Sequence, residues 1–310
     1  MKYQCSIISA GEGVDFYSER DLYSVFNSPS MLADHLDFLV LRNPTNSGYK
    51  LFFSDSTENS VSYVGHECKI SYPWAMMNGG ESLLYAAYPL FEDQRQGKNW
   101  LTAYSAAVSI GNKGILLLGK SGAGKTSVAI DLCRRYGAEL IGNDLTILGL
   151  HREHLIVKAG TKFLFLRYES IKKSLPDLIS LFPKTPAEPW LYKIKVKPQD
   201  VGINTRVAPT SIKQVYTVHV DENSSSLYVQ AEQNLAAKLF LIENFSRYIR
   251  GSCLNILGGE NFEQLGFVPS YDREEHFLFR SKLVDLVLAK TKYISGPLNL
   301  VTDYIFENQL

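Results

Sequence analysis

Short apolar runs separated by turn residues dominate the first hundred positions. Four of them predict short, mostly antiparallel strands at Tyr3–Ser9, Phe38–Arg42, Tyr49–Phe53 and Val61–Val64. A helix is predicted to begin near Gly80 and to cover ESLLYAAYPLFEDQRQ, with Pro89 as a point where it can bend. Residues 1–100 therefore predict a small α+β module, to which no chemistry is assigned.

After residue 100 the pattern changes to longer buried strands around one helix. The apolar runs Ala106–Ile110 and Gly114–Leu118 flank a three-residue turn, which predicts an antiparallel hairpin. The helix predicted next ends at Gly137, a residue type that often follows the last helical turn. The strand after it, Ala138–Leu148, has a polar interruption. This order predicts an α/β domain with a mixed sheet over residues 101–310.

Weaker patterns cover the C-terminal half. Strand patterns occur at Phe163–Leu166, Val215–Val220 and Leu227–Gln230, and the last two are expected to pair as a hairpin across DENSSS. Helical patterns occur at Glu169–Leu181, Asn234–Ile249 and Ser281–Lys290. A proline-rich loop, FPKTPAEPW, separates the first of these helices from the alternating segment IKVKP.

Composition and charge exclude several classes of protein. Of the 310 residues 45% are hydrophobic, and the 32 Lys and Arg balance the 32 Asp and Glu, so no global field attracts nucleic acid or an anionic membrane. The apolar stretches are too short to cross a bilayer, and the N-terminus lacks an apolar signal segment. The cysteines at 5, 68, 133 and 253 have neither zinc-site nor disulfide-framework spacing. We therefore expect a cytoplasmic protein without nucleic-acid or membrane partners.

One motif carries most of the functional information. The run GKSGAGKT at 119–126 fits G-x-x-x-x-G-K-[ST], a loop whose backbone N–H groups surround nucleotide phosphates. In this motif Lys125 reaches the β and γ phosphates, and the Thr126 hydroxyl is a ligand for Mg²⁺. An accidental glycine-rich turn is the alternative, but a buried strand precedes the run and a helix follows it. The predicted nucleotide-binding residues are Gly119, Ser121, Gly122, Ala123, Gly124, Lys125, Thr126 and Ser127.

A carboxylate is expected beside this loop. Asp144 lies 19 positions after Lys125, one helix and one short connection downstream, which returns the chain to a strand next to the loop. A carboxylate there can bind Mg²⁺ opposite Thr126, as phosphoryl transfer requires. The alternative is a turn or capping residue, since Asn-Asp pairs favour turns. The apolar residues on both sides of the pair favour the metal-binding interpretation.

The stretch from Tyr104 to Leu148 resembles the catalytic domain of HPr kinase/phosphorylase. It resembles even more the HPr-kinase-like proteins of peptide-modification gene clusters, including lasso-peptide kinases. That fold is related to ATP-dependent phosphoenolpyruvate carboxykinase, in which a hairpin also precedes the phosphate loop. The resemblance implies ATP and Mg²⁺ as cofactors, a serine as acceptor, and a homo-oligomer. Weaker similarity reaches WLYKIKV, where the family often has a lysine, here Lys193.

Two positions depart from the family pattern. Tyr104 stands where the family usually has a histidine, and Asn143-Asp144 stands where it usually has two adjacent aspartates. By the resemblance, the first aspartate aligns or deprotonates the acceptor hydroxyl and the second binds Mg²⁺. Asn143 cannot accept a proton, although it can orient a hydroxyl, and Asp144 can combine both roles. The predicted catalytic residues are Asp144, Asn143, Lys125 and Lys193, and the predicted metal ligands are Thr126 and Asp144.

Three functions are compatible with these residues. The first is a kinase that transfers the γ-phosphoryl group of ATP to a hydroxyl, with a serine of a peptide or small protein as the favoured acceptor. The second is a nucleotide-binding regulatory protein in which Asn143 marks lost chemistry, and the third is a small-molecule kinase. Lys193 shares strand parity with Lys195 and Lys197. Their common face is either solvated, or a basic surface that holds triphosphate or an acidic acceptor.

Overall fold

Two compact units make up the chain. The computed structural model describes residues 3–28, 38–207, 209–250, 255–258, 263–267 and 270–308, so Cys253 lies outside the described residues. One unit comprises Met1–Thr102 with Ile242–Ser281, and the other comprises Ala103–Leu241 with Lys282–Leu310. The first unit thus includes a segment from the C-terminal third of the chain. The division into domains 1–100 and 101–310 stays a prediction.

The first unit is built on a six-stranded mixed sheet with the order β3-β1-β2-β4-β6-β5. These strands are β1 (Tyr3–Ser9), β2 (Glu12–Ser18), β3 (Phe38–Leu41), β4 (Lys50–Asp55), β5 (Ser60–Val64) and β6 (Glu67–Tyr72). The helices of its N-terminal part are α1 (Leu22–Phe26), a 3-10 segment at Trp74–Gly80 and α2 (Glu81–Gly97). A separate antiparallel pair consists of β18 (Asn255–Gly258) and β19 (Glu263–Phe267).

The short strands predicted here are present, but the sheet is less antiparallel than expected. Strand β4 pairs in parallel with both β2 and β6, whereas β1 pairs antiparallel with β2 and β3. Helix α2 begins at Glu81, as predicted, and runs past Pro89 to Gly97. It is buried over most of its length because apolar residues lie on several of its faces, among them Leu83, Leu84 and Phe91.

The second unit is a ten-stranded mixed sheet with helices. Its main order is β15-β10-β8-β9-β16-β12-β11-β7, with β20 beside β16 and β17 beside β20. These strands are β7 (Trp100–Tyr104), β8 (Ala106–Ile110), β9 (Lys113–Leu118), β10 (Glu139–Gly142), β11 (Leu145–His151), β12 (His154–Gly160), β15 (Asn204–Thr205), β16 (Thr210–Val220), β17 (Tyr228–Ala231) and β20 (Thr291–Gly296). The chain is therefore a mixed α/β protein.

Helices and a small second sheet complete this part. The helices wholly in this unit are α3 (Lys125–Tyr136), α4 (Tyr168–Ser174) and α7 (Leu298–Glu307), whereas α5 (Leu235–Ser246) and α6 (Glu274–Leu288) each belong in part to both units. Strands β13 (Leu164–Arg167) and β14 (Lys193–Val196) form an antiparallel pair, and 3-10 segments lie at Pro176–Leu181 and Pro198–Val201. The apolar faces of α3 and α7 pack into the core with residues such as Val128, Leu132 and Ile305. In the part of the chain that the structure describes, no helix has the length and apolar character needed to cross a membrane.

The hairpin that was predicted before the glycine-rich loop is present. Strands β8 and β9 pair antiparallel from Ala106↔Leu117 to Ile110↔Lys113. Helix α3 ends at Tyr136, and Gly137 follows it in the left-handed conformation with φ 66°. The polar interruption in the next strand separates β10 from β11. Local sequence signals thus determine the chain from Ala106 to His151.

The hairpin predicted between Val215–Val220 and Leu227–Gln230 is wrong. Strand β17 pairs antiparallel with β20, and β16 pairs in parallel with both β9 and β20. Because these two neighbours occupy both edges of the C-terminal half of β16, β17 has no edge of β16 left to pair with. The helix predicted over Glu169–Leu181 is divided into α4 and the 3-10 segment, because Pro176 disfavours the helical conformation at the residue before it.

Candidate functional site

The glycine-rich loop connects the buried strand β9 to helix α3. The loop is attached to the end of β16, since the N–H of Val220 donates to the carbonyl of Ala123 at 2.9 Å. Gly124 has φ 94°, and a Cβ atom at this position would lie 2.4 Å from Cγ2 of Val220. Only glycine satisfies both the conformation and the contact. The motif sequence therefore places the first turn of α3 directly against the sheet.

Lys125, the first residue of α3, is 5% exposed and folds back over the loop. Its Nζ atom donates to the carbonyl oxygens of Gly119 and Lys120 at 2.8 and 3.1 Å. The same ammonium lies 4.0 Å from the centre of the Tyr104 ring, a cation–π distance. A buried positive charge is thus held at the N-terminal end of a helix, where the helix dipole also favours anions.

Thr126 and Asn143 are joined by their side chains. The Thr126 hydroxyl donates to Oδ1 of Asn143 at 2.9 Å, and Nδ2 of Asn143 donates to the carbonyl of Phe163 at 3.4 Å. Asn143 is fully buried, and its backbone N–H donates to Thr161 at 2.8 Å. The amide of Asn143 therefore fixes the hydroxyl of the residue that the motif assigns to Mg²⁺.

Asp144 occupies a strained turn between β10 and β11. Its φ is 62°, unusual for a residue other than glycine, and the N–H of Leu145 donates to the carbonyl of Asn143 across it at 2.8 Å. Burial raises the pKa of the Asp144 carboxyl, while the nearby charges of Lys125 and Lys193 act in the opposite direction. A buried carboxyl with charged neighbours in a cavity is a candidate functional group.

An open cavity brings most of the predicted residues together. The predicted residues that line it are Ser121, Gly122, Ala123, Gly124, Lys125, Thr126, Ser127, Asp144 and Lys193. Gly119 and Asn143 do not line it; Gly119 contributes a carbonyl to Lys125, and Asn143 contacts the cavity only through Thr126. The expected contact of Asn143 with an acceptor hydroxyl stays a prediction.

Several lining residues were not predicted. They are Tyr104, Phe165, Leu166, Arg167, Ser170 and Ile171. The sequence analysis identified Tyr104 only as a departure from a family pattern. Its cation–π contact with Lys125, which is visible only in the structure, places it at the cavity. Arg167 ends strand β13 opposite Lys193 on β14, so knowledge of that pairing would have placed both side chains at one site.

The donor atoms around the cavity fit a nucleotide with Mg²⁺. Within the described ranges, no three His, Cys, Asp or Glu side chains come together as a metal-binding group. A Mg²⁺ ion commonly takes only one or two carboxylates from the protein and the rest of its ligands from phosphate and water. The hydroxyl of Thr126 and the carboxylate of Asp144, both at the cavity wall, supply that limited set.

Comparison with solved structures gives a remote similarity. Neither the models of known protein families nor the curated proteins compared with the chain give a match. Among solved structures, the chain is similar to the HPr(Ser) kinase/phosphatase from Coxiella burnetii. The two are 14% identical, the similarity covers 42% of this chain and 71% of that one, and the TM-score is 0.24. Membership of the HPr kinase family stays a prediction.

Proposed function

We propose that this chain is a kinase that uses ATP with Mg²⁺ and transfers the γ-phosphoryl group to a hydroxyl, with a serine of a small protein or peptide as the favoured acceptor. One observation carries the proposal: a single cavity collects the loop backbone at 121–127, the ammonium of Lys125, the carboxylate of Asp144 and two further cations, Arg167 and Lys193. Phosphoryl transfer depends mainly on positioning and charge neutralisation, and these groups supply both.

The loop and Lys125 bind the phosphates in this proposal. Backbone N–H groups at the start of α3 point toward an anion at the helix N-terminus, because the first turn of a helix has no internal acceptors for them. Lys125 now donates to carbonyls of its own loop. When it turns to the β and γ phosphates, those carbonyls are replaced by stronger, charged acceptors.

Thr126 and Asp144 would hold Mg²⁺, which neutralises charge on the transferring phosphoryl group. Asn143 acts through Thr126: its Oδ1 accepts a hydrogen bond from the Thr126 hydroxyl at 2.9 Å, which directs the lone pairs of the hydroxyl oxygen away from Asn143. Asn143 is thus a positioning residue in this proposal. The predicted contact between Asn143 and the acceptor is replaced by its contact with Thr126.

Asp144 is then the carboxylate available to the acceptor. It lines the cavity beside the loop, where a carboxyl can take a proton from an attacking hydroxyl. During transfer the acceptor oxygen bonds to the γ-phosphorus, the bond from phosphorus to the ADP oxygen breaks, and the hydroxyl proton passes to Asp144. Lys193 and Arg167 compensate the negative charge that develops next to this carboxylate.

The test is transfer from labelled ATP, with Mg²⁺ as the only metal, to serine-containing peptides and to small alcohols, read by mass spectrometry. Lys125→Ala is expected to lower ATP affinity at least about tenfold and to abolish transfer, because it removes a charged donor from a water-poor site. Lys113→Ala, which removes an exposed lysine of the hairpin, is the control. If ATP affinity and turnover both survive in Lys125→Ala, the loop does not bind the nucleotide.

A regulatory nucleotide-binding protein is the second candidate. The observation that favours it is that Asp144 is the one acidic residue among the described residues that line the cavity. The family resemblance implies a second carboxylate at position 143, but Asn143 is an amide and is buried away from the cavity. This alternative predicts ATP binding that depends on Lys125 with no labelled product on any acceptor. The same assay therefore separates the two candidates.

A further inference from the structure

A basic segment adjoins the cavity in a chain whose net charge is zero. Residues 162–197 contain eight Lys or Arg and three Asp or Glu, a surplus of five positive charges. This segment includes β13, α4, the proline-rich loop and β14. Because the whole chain is neutral, the surplus is a local property of this segment.

Two of the three acidic residues are already engaged. Glu169 lies 3.3 Å from Nζ of Lys173, and Asp177 pairs at 2.5 Å with Arg134, which lies outside the segment. In the described part of the chain, neither Arg167 nor Lys193 forms an ion pair. The positive charge nearest the cavity is thus not neutralised by a carboxylate in direct contact.

Arg167 and Lys193 are directly opposite each other in the antiparallel pair β13–β14, and both line the cavity. Like charges at opposite positions of a strand pair destabilise it. Such a pair is stabilised when an anion lies between the two side chains. The carboxylate of Asp144 is one nearby negative charge, and it attracts Lys193. The strand pair therefore favours a further anionic group at the mouth of the cavity.

Apolar side chains are exposed on the same segment. Trp190 is 56% exposed and Leu191 is 72% exposed, and Phe165, opposite Lys195 on the strand pair, is also exposed. The guanidinium of Arg167 donates to the carbonyl of Trp190, and the ammonium of Lys173 lies 5.0 Å from the Trp190 ring. Exposed aromatic residues among cations suit a peptide better than a free phosphate, which makes no use of apolar contacts.

We propose that the acceptor is an acidic peptide segment that docks on the basic surface 162–197; this inference rests on the proposed kinase function. The hydroxyl enters the cavity near Asp144, and a flanking carboxylate of the peptide lies between Arg167 and Lys193. An apolar side chain of the peptide contacts Trp190 and Leu191. Charge complementarity selects the acceptor and speeds its encounter with the site.

The experiment compares three fluorescent peptides that share a central serine and a leucine and differ only in flanking residues: glutamate, glutamine or lysine. Binding is followed by fluorescence anisotropy with a non-hydrolysable ATP analogue, and transfer is measured in parallel with ATP. The glutamate peptide is expected to bind about tenfold or more tightly than the lysine peptide, since two charge-assisted contacts are made or lost.

Substitutions locate the surface. Arg167→Glu is expected to reverse the binding preference between the glutamate and lysine peptides. Trp190→Ala is expected to weaken binding of the glutamate peptide about fivefold. Lys113→Glu makes the same charge change at an exposed lysine outside the segment and the cavity, and it leaves the preference unchanged. Trp190 is exposed, so Trp190→Ala keeps the test valid even if Arg167→Glu does not fold.

The outcomes separate this inference from the kinase proposal. Transfer at equal rates to all three peptides, or only to a small alcohol, overturns the docking inference and leaves the kinase standing. Selective binding of the glutamate peptide without any transfer supports the docking surface and refutes the kinase. Displacement of the peptide by anionic vesicles or a single-stranded oligonucleotide at matched charge overturns the inference, because the surface would then bind any polyanion.

Discussion

At the scale of single residues, two neighbours in the sequence have opposite environments. Asn143 is fully buried and uses its amide within the protein, whereas Asp144 sits at the wall of an open cavity. The turn between β10 and β11 causes the difference, because Asp144 takes a positive φ at its centre. Such a conformation costs about 1–2 kcal/mol in most residues other than glycine, and it is often retained where function requires it.

Asp144→Asn is expected to abolish transfer and to raise thermal stability. The amide loses the anionic ligand for Mg²⁺, but it removes a buried charge and tolerates positive φ well. Because burial raises the pKa of Asp144, the folded state binds the proton more tightly than the unfolded state. The ionised carboxyl therefore destabilises the fold as pH rises through its titration.

Thermal unfolding at neutral and at mildly acidic pH checks this prediction. The variant should melt roughly 1–3 °C above the wild type at neutral pH, and the gap should close as the wild-type carboxyl becomes protonated. Loss of transfer with an unchanged or lower melting temperature at neutral pH would contradict the buried-charge argument. Unchanged transfer would place the metal ion elsewhere.

Asn143→Leu is expected to slow transfer about a hundredfold and to raise the Mg²⁺ concentration for half-maximal rate, while ATP still binds. Leucine cannot accept the hydrogen bond from the Thr126 hydroxyl, so the hydroxyl loses its orientation. Asn143→Asp keeps an acceptor at this position and should keep most of the activity. A Mg²⁺ titration of the rate distinguishes the two variants, and equal Mg²⁺ dependence in wild type and Asn143→Leu would refute the positioning role.

At the scale of elements, strands β10 and β12 contact each other through glycines next to this turn. A Cβ atom on Gly142, the last residue of β10, would lie 2.5 Å from Cα of Gly160, the last residue of β12. Because the atoms nearest to this Cβ position belong to the backbone, no side chain can rotate away to make room for it. The close contact holds Asn143 and Thr161, the next residues of each strand, within hydrogen-bonding distance.

Gly142→Ala is expected to lower the free energy of unfolding by about 2–4 kcal/mol, since an added methyl must separate two backbones. Gly97→Ala is a matched control, because Gly97 ends helix α2 with no atom near its Cβ position; its effect should be neutral or slightly stabilising. Urea denaturation of both variants measures the difference. A Gly142→Ala protein as stable as the control would show that the strands separate at little cost.

The elements show why part of the fold was predictable. The segment from β8 to α3 follows from signals within a few residues of one another: two apolar runs, a turn, the glycine-rich loop and Gly137. The partner of β17 was not predictable in this way, because β20 lies far along the chain and pairing depends on which edge remains open. Arg167 was not predicted as a site residue for the same reason, because only the pairing of β13 with β14 brings it opposite Lys193.

At the scale of the whole molecule, the net charge is zero but charged residues are concentrated locally. In the first unit, Asp272 accepts from Arg280 at 2.6 and 2.7 Å and from Arg250 at 3.1 Å, and Arg280 also donates to Gln96. Burial opposes ionisation of Asp272, but the hydrogen bonds from the two arginines outweigh it and lower the pKa of the carboxyl. This network connects the C-terminal part of the unit to helix α2.

Asp272→Asn is expected to destabilise the protein by about 1–3 kcal/mol at neutral pH, because it leaves the buried Arg280 without its charged partner. The folded pKa of Asp272 is below its unfolded value, so this stabilisation is present above about pH 4 and is lost as pH falls through the folded pKa. Unfolding curves of wild type and variant should converge in acid. Asp285→Asn, which breaks an exposed pair with Lys238, is the control.

The position of β16 between β9 and β20 also bears on how the protein is made. Strand β9 and the loop that follows it leave the ribosome long before β20, the parallel strand on the other side of β16. A nascent chain that lacks β20 exposes one edge of its central strand, and such edges invite wrong pairing. The sheet that holds the loop is therefore completed only after β20 has been synthesised.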